Sequence, residues 1–362
     1  MSLEDFFQCF QISCQGATSV TTFAVFLCDK IEPALRYAVY ERTAKAVAED
    51  MQKSPDFRGN RANLEVCILR YLAEQENFEY FKQYLSSPRQ FFQTYIETRI
   101  RKHCLDGSRS RGDFLGSSLR VLHENILSAV SLSTEIVKDR KDRKDKISLW
   151  LDEFCRKLSE VINLPRSDLK GIEHQEVTDI EFLSRAMTEA LDDLKERLKK
   201  EFAGADLSSF SRQTHTILAE HFAGCWEQCP FCGAVCTNTM QNHDGDHQVV
   251  FHRPRALTGR HWHGTDQLVI DICSNAVVSD VSFSDHRSEW FPYKRYRDAG
   301  PPYSTWKILP DSSMQAYWKW FVSHFRTQLE ALYNRKFKGK GEIPEAWQRV
   351  TKQEALSELE KR

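Results

Sequence analysis

The stretch CWEQCPFCGAVCTNTMQNHDGDHQVVFH, residues 225–252, decides how the chain is read. With His261, His263 and Cys273 just beyond it, this stretch gathers thiols and imidazoles at ligand spacing as no other part of the sequence does. A Cys-x-x-Cys turn points two thiolates the same way, and two histidines four residues apart can supply a second pair. Four soft or borderline donors in tetrahedral array are the set that zinc prefers. The spacing is Cys-x2-Cys-x10-His-x3-His, with a linker two residues short of the usual finger. Cys229, Cys232, His243 and His247 are therefore read as one structural zinc site. The competing reading is of ordinary reduced thiols and polar surface histidines. It suits Cys225 and Cys236, which are expected in the core because isolated cysteine behaves as a small apolar residue. Clustering argues against it for the central pair, since four of the 11 cysteines and two of the 12 histidines fall within Cys225–His247. The ligand set stays open: His252 or Cys273 could replace either histidine. The pair His261 and His263 would face one side of a strand. A second metal is not expected.

Working outward, 362 residues are enough for two domains, and 41% hydrophobic with 28% charged residues describes an ordinary globular composition. A formal net charge of −1 implies no global pull toward nucleic acid or acidic membranes. No apolar run approaches the roughly 20 residues that span a bilayer. The acidic start MSLED is not that of a signal peptide. Cysteines irregularly spaced outside the cluster suit a reducing compartment, so the expected location is cytoplasmic, with the nucleus as a second compartment.

Residues 1–224 read as helical. Apolar side chains recur at helical period from Val20 to Met51, with Pro33 expected to kink or divide the segment, and again from Asn63 to Glu74. Ser87-Pro88 reads as an N-cap followed by a first-turn proline. Helices are also expected over Leu115–Leu132, Ile147–Ile162 and Asp179–Phe202, with a loop over Asp106–Asp113, and Leu207–Ala223 leads into the cysteine-rich stretch. The run KDRKDRKDK, Lys138 to Lys146, alternates in sign and reads as a solvated face or connector. Pro165 and Gly171 mark a junction. After the cysteine-rich stretch, Gln267–Ile272 and Ala276–Val281 read as strands. The aromatic and basic stretch Trp290–Tyr303 is read as core of a small module rather than as a base-stacking surface. Asp311 is expected to cap an aromatic helix, and Thr351-Lys-Gln-Glu354 is a capping box. The fold class expected is mainly α: a long-helix bundle or stalk over 1–224, then a zinc-stapled α+β module with C-terminal helices over 225–362.

The ordered strings CPFCGAVCTNTMQNHDGDHQVVFHRPRAL, DICSNAVVSD, YWKWF, GKGEIP and AW-x3-TK-x-EAL resemble the carboxy-terminal end of the interferon-induced very large GTPases, giant relatives of the dynamin superfamily. The resemblance covers at least residues 225–360 and is weaker over 1–224. It implies cytoplasmic residence and a role in cell-autonomous immunity. The GTPase activity it also implies cannot be carried onto any residue here. No Gly-x4-Gly-Lys-Ser/Thr occurs, and Gly339-Lys340-Gly341 lacks the spaced first glycine. No GTP site is therefore expected in this chain.

Three functional classes compete. The first is a non-catalytic assembly or partner-binding module, associating through the helical region. The second is nucleic-acid binding through Arg253, Arg255, Arg260, Lys294, Arg295 and Arg297. The third is an enzyme, either a zinc hydrolase or a ubiquitin ligase. Two cysteines in the ligand set favour a closed rather than a catalytic site, and no second Cys-x-x-Cys follows Cys236. The first class is the reading adopted, with nucleic acid as the alternative.

Overall fold

The computed structural model describes residues 19–106, 111–138, 146–159, 161–162, 179–204, 208–249, 251–285, 287–311 and 315–361. The fold is mainly α. In chain order the helices are α1 (Ser19–Lys53), α2 (Arg61–Gln75), α3 (Phe78–Ser86), α4 (Pro88–Asp106), α5 (Arg111–Lys138), α6 (Lys146–Leu158), α7 (Ile180–Ala203) and α8 (Ser208–His221). A region of turns and 3-10 helices follows, holding the short α9 (Cys273–Ala276) and an antiparallel pair, β1 (Ser282–Ser284) and β2 (Trp290–Pro292). The chain closes with α10 (Ala316–His324), α11 (Arg326–Tyr333), α12 (Glu345–Gln348) and α13 (Lys352–Glu360). Among the described residues, no helix is long and apolar enough to cross a membrane.

Two compact units emerge. The first comprises Met1–Asp50 and Arg99–Ile217, the second Met51–Thr98 and Leu218–Arg362. In the first unit, α5 packs against both α6 and α7. Leu115, Leu119, Leu122 and Ile126 of α5 are buried, as are Leu183, Met187, Leu191, Leu194 and Leu198 of α7. That is the i, i+3/i+4 stripe expected of helices sharing a core. Asp179 caps α7 by accepting from the Phe182 N–H at 2.9 Å, and Gly204 ends it. The helix α1 runs through Pro33 without a break. Buried Ile31 and Leu35 flank the proline, and their packing offsets the roughly 3 kcal/mol that an interior proline costs. Buried hydroxyls in this unit are paired: Thr43 with Ser118 at 2.9 Å, and Thr134 accepts from Trp150 Nε1 at 3.1 Å. Burial pushes the Cys28 thiol up to about 12, so it is an inert core residue. Of the charged run, residues 139–145 lie outside the described residues, as do Pro165, Gly171 and positions 107–110 of the expected loop.

The second unit cuts across the expected division at 224/225. Met51–Thr98 packs with the C-terminal part of the chain, for reasons visible in a few contacts. Phe81 of α3 meets Phe321 of α10 at 4.4 Å between ring centroids. Tyr317 Oη donates to the Leu69 carbonyl of α2 at 2.6 Å. Arg61, at the start of α2, is buried, donates to the Cys225 carbonyl, and lies 3.7 Å from the centre of the Trp226 ring.

Around the Cys/His stretch the core is aromatic. The fully buried Phe231 ring contacts Phe283 at 4.9 Å, Tyr293 at 5.0 Å and Tyr303 at 5.2 Å. Tyr293, Tyr296 and Tyr303 are buried, as expected of core residues, whereas Trp290 and the basic side chains of the same stretch are exposed. The expected strands are corrected. Gln267–Ile272 makes only isolated bridges, to Lys336, His261 and Pro254. Ala276 ends the short helix α9 and Val277 follows in a turn. The ladder that does form pairs Phe283 with Phe291. Asp311 is not the cap of α10: the helix begins at Ala316, and Asp311 instead accepts from Gln315 Nε2 at 3.1 Å. The capping box of α13 is present, with Glu354 N–H donating to Thr351 and Thr351 N–H to Glu354.

Phe231 is the test of this core. Phe231→Ala is expected to destabilise the second unit by about 3–5 kcal/mol, since a ring enclosed by three others leaves a cavity that cannot collapse. Denaturant titration of the full chain, followed by tryptophan fluorescence, measures it; a loss below about 1 kcal/mol would place the folding core elsewhere.

Candidate metal centre

The Cys/His residues converge in two groups of four. Cys229, Cys232, His252 and Cys273 form an inner group, all buried, with their donor atoms within 4.8 Å of one another. Cys225, Cys236, His243 and His247 form an outer group by the same measure, its histidines partly exposed. The groups interleave along the chain, because the outer cysteines flank the inner Cys-x-x-Cys.

Local backbone explains both placements. The Cys229–Cys232 knuckle is closed by Gly233 N–H donating to the Cys229 carbonyl at 2.8 Å and Cys229 N–H donating to the Ala234 carbonyl at 2.8 Å. Gly233 has φ +69, which favours glycine, and a Cβ there would sit a tight 3.1 Å from the Thr258 methyl. Extended pairing on either side of the knuckle, Cys236 N–H to the Glu227 carbonyl at 2.8 Å and Cys225 N–H to the Asn238 carbonyl at 3.0 Å, brings the outer cysteines together. Cys273 arrives at the first position of α9. His247 is held by backbone bonds with Thr305 and Lys307, each 2.8 Å. Beside it, Asp246 receives a bidentate pair from Arg297 at 2.7 and 2.8 Å, which draws that carboxylate below its usual range.

Most of the distances approach those of tetrahedral coordination, and two pairs are closer. Zinc–sulfur bonds of about 2.3 Å and zinc–nitrogen bonds of about 2.0–2.1 Å put neighbouring ligand atoms roughly 3.3–3.8 Å apart. In the inner group, Cys229 Sγ lies 3.9 Å from Cys273 Sγ, and Cys232 Sγ 3.5 Å from His252 Nδ1. Cys273 Sγ is closer to His252 Nδ1, at 2.8 Å. In the outer group, Cys225 Sγ to His247 Nδ1 is 3.4 Å, Cys236 Sγ to His243 Nε2 is 3.6 Å, and the two imidazoles approach to 3.0 Å. A disulfide needs about 2.05 Å, so the 3.9 Å pair is not one. Three sulfurs with one imidazole, and two with two, are both donor sets of closed structural zinc sites. The groups can hold a metal ion.

Electrostatics favours the same conclusion. Burial raises the Cys229 and Cys273 thiols well above the ordinary range, and that of Cys225 less far. Burial works in the same direction at Cys232, yet hydrogen bonds from Cys229, Cys273 and His252 carry it well below. Those directions set charge on the Cys232 sulfur against protons on Cys229 and Cys273. A divalent ion lets the remaining thiols ionise together. His247 is shifted down by burial and by His243, which keeps a lone pair free for a metal.

The four residues that spacing assigns to one site fall in two different groups, each of which could hold a metal ion. Cys229 and Cys232 fall in the inner group, His243 and His247 in the outer. Cys225 and Cys236, expected as core, are buried but also contribute donor atoms. His252 and Cys273, the alternatives, complete the inner set rather than replacing a histidine. The exposed His261 and His263 join neither; His261 faces the Gly259 carbonyl and His263 the Trp290 ring. The signal was in the sequence: a linker two residues too short for a finger, and a symmetric Cys-x3-Cys-x2-Cys-x3-Cys over residues 225–236.

Residues 225–359 match the family model described as the C-terminal domain of interferon-induced very large GTPase 1, a span that begins at the first outer cysteine. Over 360 residues, 99% of its length, the chain is 46% identical to interferon-induced very large GTPase 1 of Mus musculus. It is 45% identical, over the same share, to the protein of that name from Homo sapiens. The chain spans 15% of the length of each of these relatives. No solved structure matches it.

Elemental analysis of protein purified without chelator is expected to return about two equivalents of one tetrahedral metal per chain. Cys232→Ser and Cys236→Ser should each retain about one, because each removes a thiolate from a different set of four. Loss of both equivalents in either single variant would show one shared site.

Proposed function

Because the chain belongs to the C-terminal region of the interferon-induced very large GTPase family, we propose that it is a non-catalytic interaction module, stapled by two zinc ions, within that cytoplasmic immune-response machinery. The observation that carries this reading is the inner group: four buried donors, all from this chain, leave no coordination position for a substrate. Zinc suits both groups, since mixed sulfur and nitrogen donors in tetrahedral array select it over magnesium or calcium. The metal's part is to hold loops together around Phe231, where the only regular sheet among the described residues is two short strands.

Nothing in the sequence supplies a phosphate cradle for GTP. The one Gly-Lys-Gly segment forms a short 3-10 turn whose Lys340 N–H donates to Gln267 Oε1 at 3.1 Å. The nucleic-acid alternative loses its cations to internal partners. Lys294 pairs with Asp280, Arg295 with Asp298 at 2.6 Å, and Arg297 with Asp246 at 2.7 Å. Arg255 is buried against Asp271 at 2.9 Å, and Arg253 is buried between the Tyr84 and Trp318 rings. Few charges remain to displace counterions from a phosphate backbone. Self-association through the helical region completes the reading; Val25 and Tyr37 on α1 and Phe182 on α7 are exposed apolar residues available for it.

Stripping the metal should lower the melting temperature of the full chain by more than about 10 °C, recoverable with zinc and not with magnesium. In the same preparation GTP should be hydrolysed no faster than in buffer. GTP turnover above that rate, abolished by Cys232→Ser, would turn the module into an enzyme and overturn the reading.

A further inference from the structure

A cleft in the second unit has no part in the metal groups. Its volume is about 740 Å³, within the range of ligand-binding sites. One wall is β1. The hydrogen bonds that flank the β1–β2 ladder run from Tyr293 N–H to the Val281 carbonyl at 2.8 Å and from Asp285 N–H to the Glu289 carbonyl at 2.9 Å. With Phe283 opposite Phe291, antiparallel alternation turns the backbone groups of Val281, Phe283 and Asp285 toward β2. The N–H and C=O groups of Ser282 and Ser284 then point away from β2. No backbone–backbone bond to another described residue takes them, and both residues line the cleft. An unpaired strand edge is a template for a further strand.

The other walls carry charge and aromatic surface. Arg260 and Lys340 line the cleft, and no aspartate or glutamate does. Neither has a carboxylate partner among the described residues; Arg260 donates to the Pro230 carbonyl at 2.7 Å, and Lys340 lies 5.3 Å from the Trp262 ring centre. Trp290 at the rim is 55% exposed. Trp262 lines the same space, and its Nε1 is buried with no hydrogen-bond acceptor. A buried indole N–H ordinarily finds one.

We infer that this cleft is a docking site for an extended acidic peptide of a partner protein, which adds as a strand to β1, sets a carboxylate between Arg260 and Lys340, and lays an apolar side chain on Trp290. The occupant is argued from charge complementarity and from the free edge together. A mononucleotide would use the cations and the tryptophans but would leave the row of Ser282 and Ser284 backbone groups unanswered. An extended peptide answers all of them, with alternate side chains entering the cleft. This inference rests on the interaction-module reading and names the chemistry of a partner for it.

The test is selection of a random-sequence peptide library, displayed on phage, against the full metal-loaded chain. Enriched peptides should carry acidic residues alternating with apolar ones. Their affinity should fall about tenfold or more on Lys340→Glu and on Trp290→Ala. Ser282→Pro should abolish binding, because it removes an outward N–H while sparing the ladder bonds of Val281 and Phe283. Methylating alternate backbone amides of the peptide should do the same from the other side. Metal content and melting temperature equal to the parent's certify each variant as folded, and the methylated peptide needs no variant at all. No enrichment, or enriched peptides indifferent to all three substitutions, overturns the site. Binding of ATP or of a poly(dT) strand that is lost in Lys340→Glu and Trp290→Ala, with no peptide enriched, replaces the peptide with a nucleotide. These outcomes bear on the cleft alone. Metal content and GTP turnover decide the parent reading separately.

Discussion

Three thiols buried together at Cys229, Cys232 and Cys273, beside His252, cannot all become thiolates without a cation, and the turns of the second unit converge on that group. Desolvation pushes the Cys229 and Cys273 thiols up, whereas hydrogen bonds from its neighbours draw Cys232 down against the same burial. Removing water from a charge costs several kcal/mol unless a partner compensates it. A divalent metal is the compensation that matches the donor set, and its binding free energy becomes folding free energy because the site does not exist in the unfolded chain. That explains how a stretch with so little regular secondary structure holds a fixed shape. The backbone from Cys225 to Cys273 would need few ladder bonds if both groups held a metal. The aromatic cluster on Phe231 fills the space that remains.

Arg61 extends the same logic outward. Its burial lowers its pKa, yet it is paired with a carbonyl rather than with a carboxylate, and it rests against the Trp226 ring. The guanidinium is weakly hydrated and stacks well, so arginine tolerates such a position better than lysine would. The contact fixes the first turn of α2 to the residue that opens the outer metal group. Gly224 must be glycine there, since a Cβ would lie 2.9 Å from the Arg61 guanidinium and 2.5 Å from the Asn238 carbonyl oxygen. The helices of Met51–Thr98 thereby belong with the Cys/His unit.

How much of this was legible follows from what each signal encodes. Periodicity and caps encode local structure, and α1, α2, α7 and α13 were readable from Val20–Met51, Asn63–Glu74, Asp179 with Gly204, and Thr351 with Glu354. Partnership is not local. The apolar stripe of α2 announces a buried face but not that Leu69 will meet Tyr317. The same limit applies to the metal ligands. Residue type and clustering identified the donors, whereas their division into two fours depends on how the flanks of the knuckle pair, Cys236 to Glu227 and Cys225 to Asn238. The strands failed for a different reason. Gln267–Ile272 has the β-branched composition of a strand, but Cys273 must reach the inner group, and the chain turns into α9 instead of forming a ladder. β-propensity measures fit to a half-buried pleated surface, and no such surface was offered there.

Charge was the least legible quantity. The basic stretch Lys294 to Arg297 is neutralised by Asp280, Asp298 and Asp246, two of them distant in sequence. Nothing in the sequence pairs Arg260 with Lys340, which are 80 residues apart, yet the fold sets both on one cleft with no acidic neighbour in its lining. Local density of cations therefore misplaces the electropositive surface, because an ion pair formed within the chain removes a charge from the field that a partner feels. A net charge of −1 is compatible with either arrangement. What distinguishes them is the pairing, and pairing is a property of the tertiary structure alone.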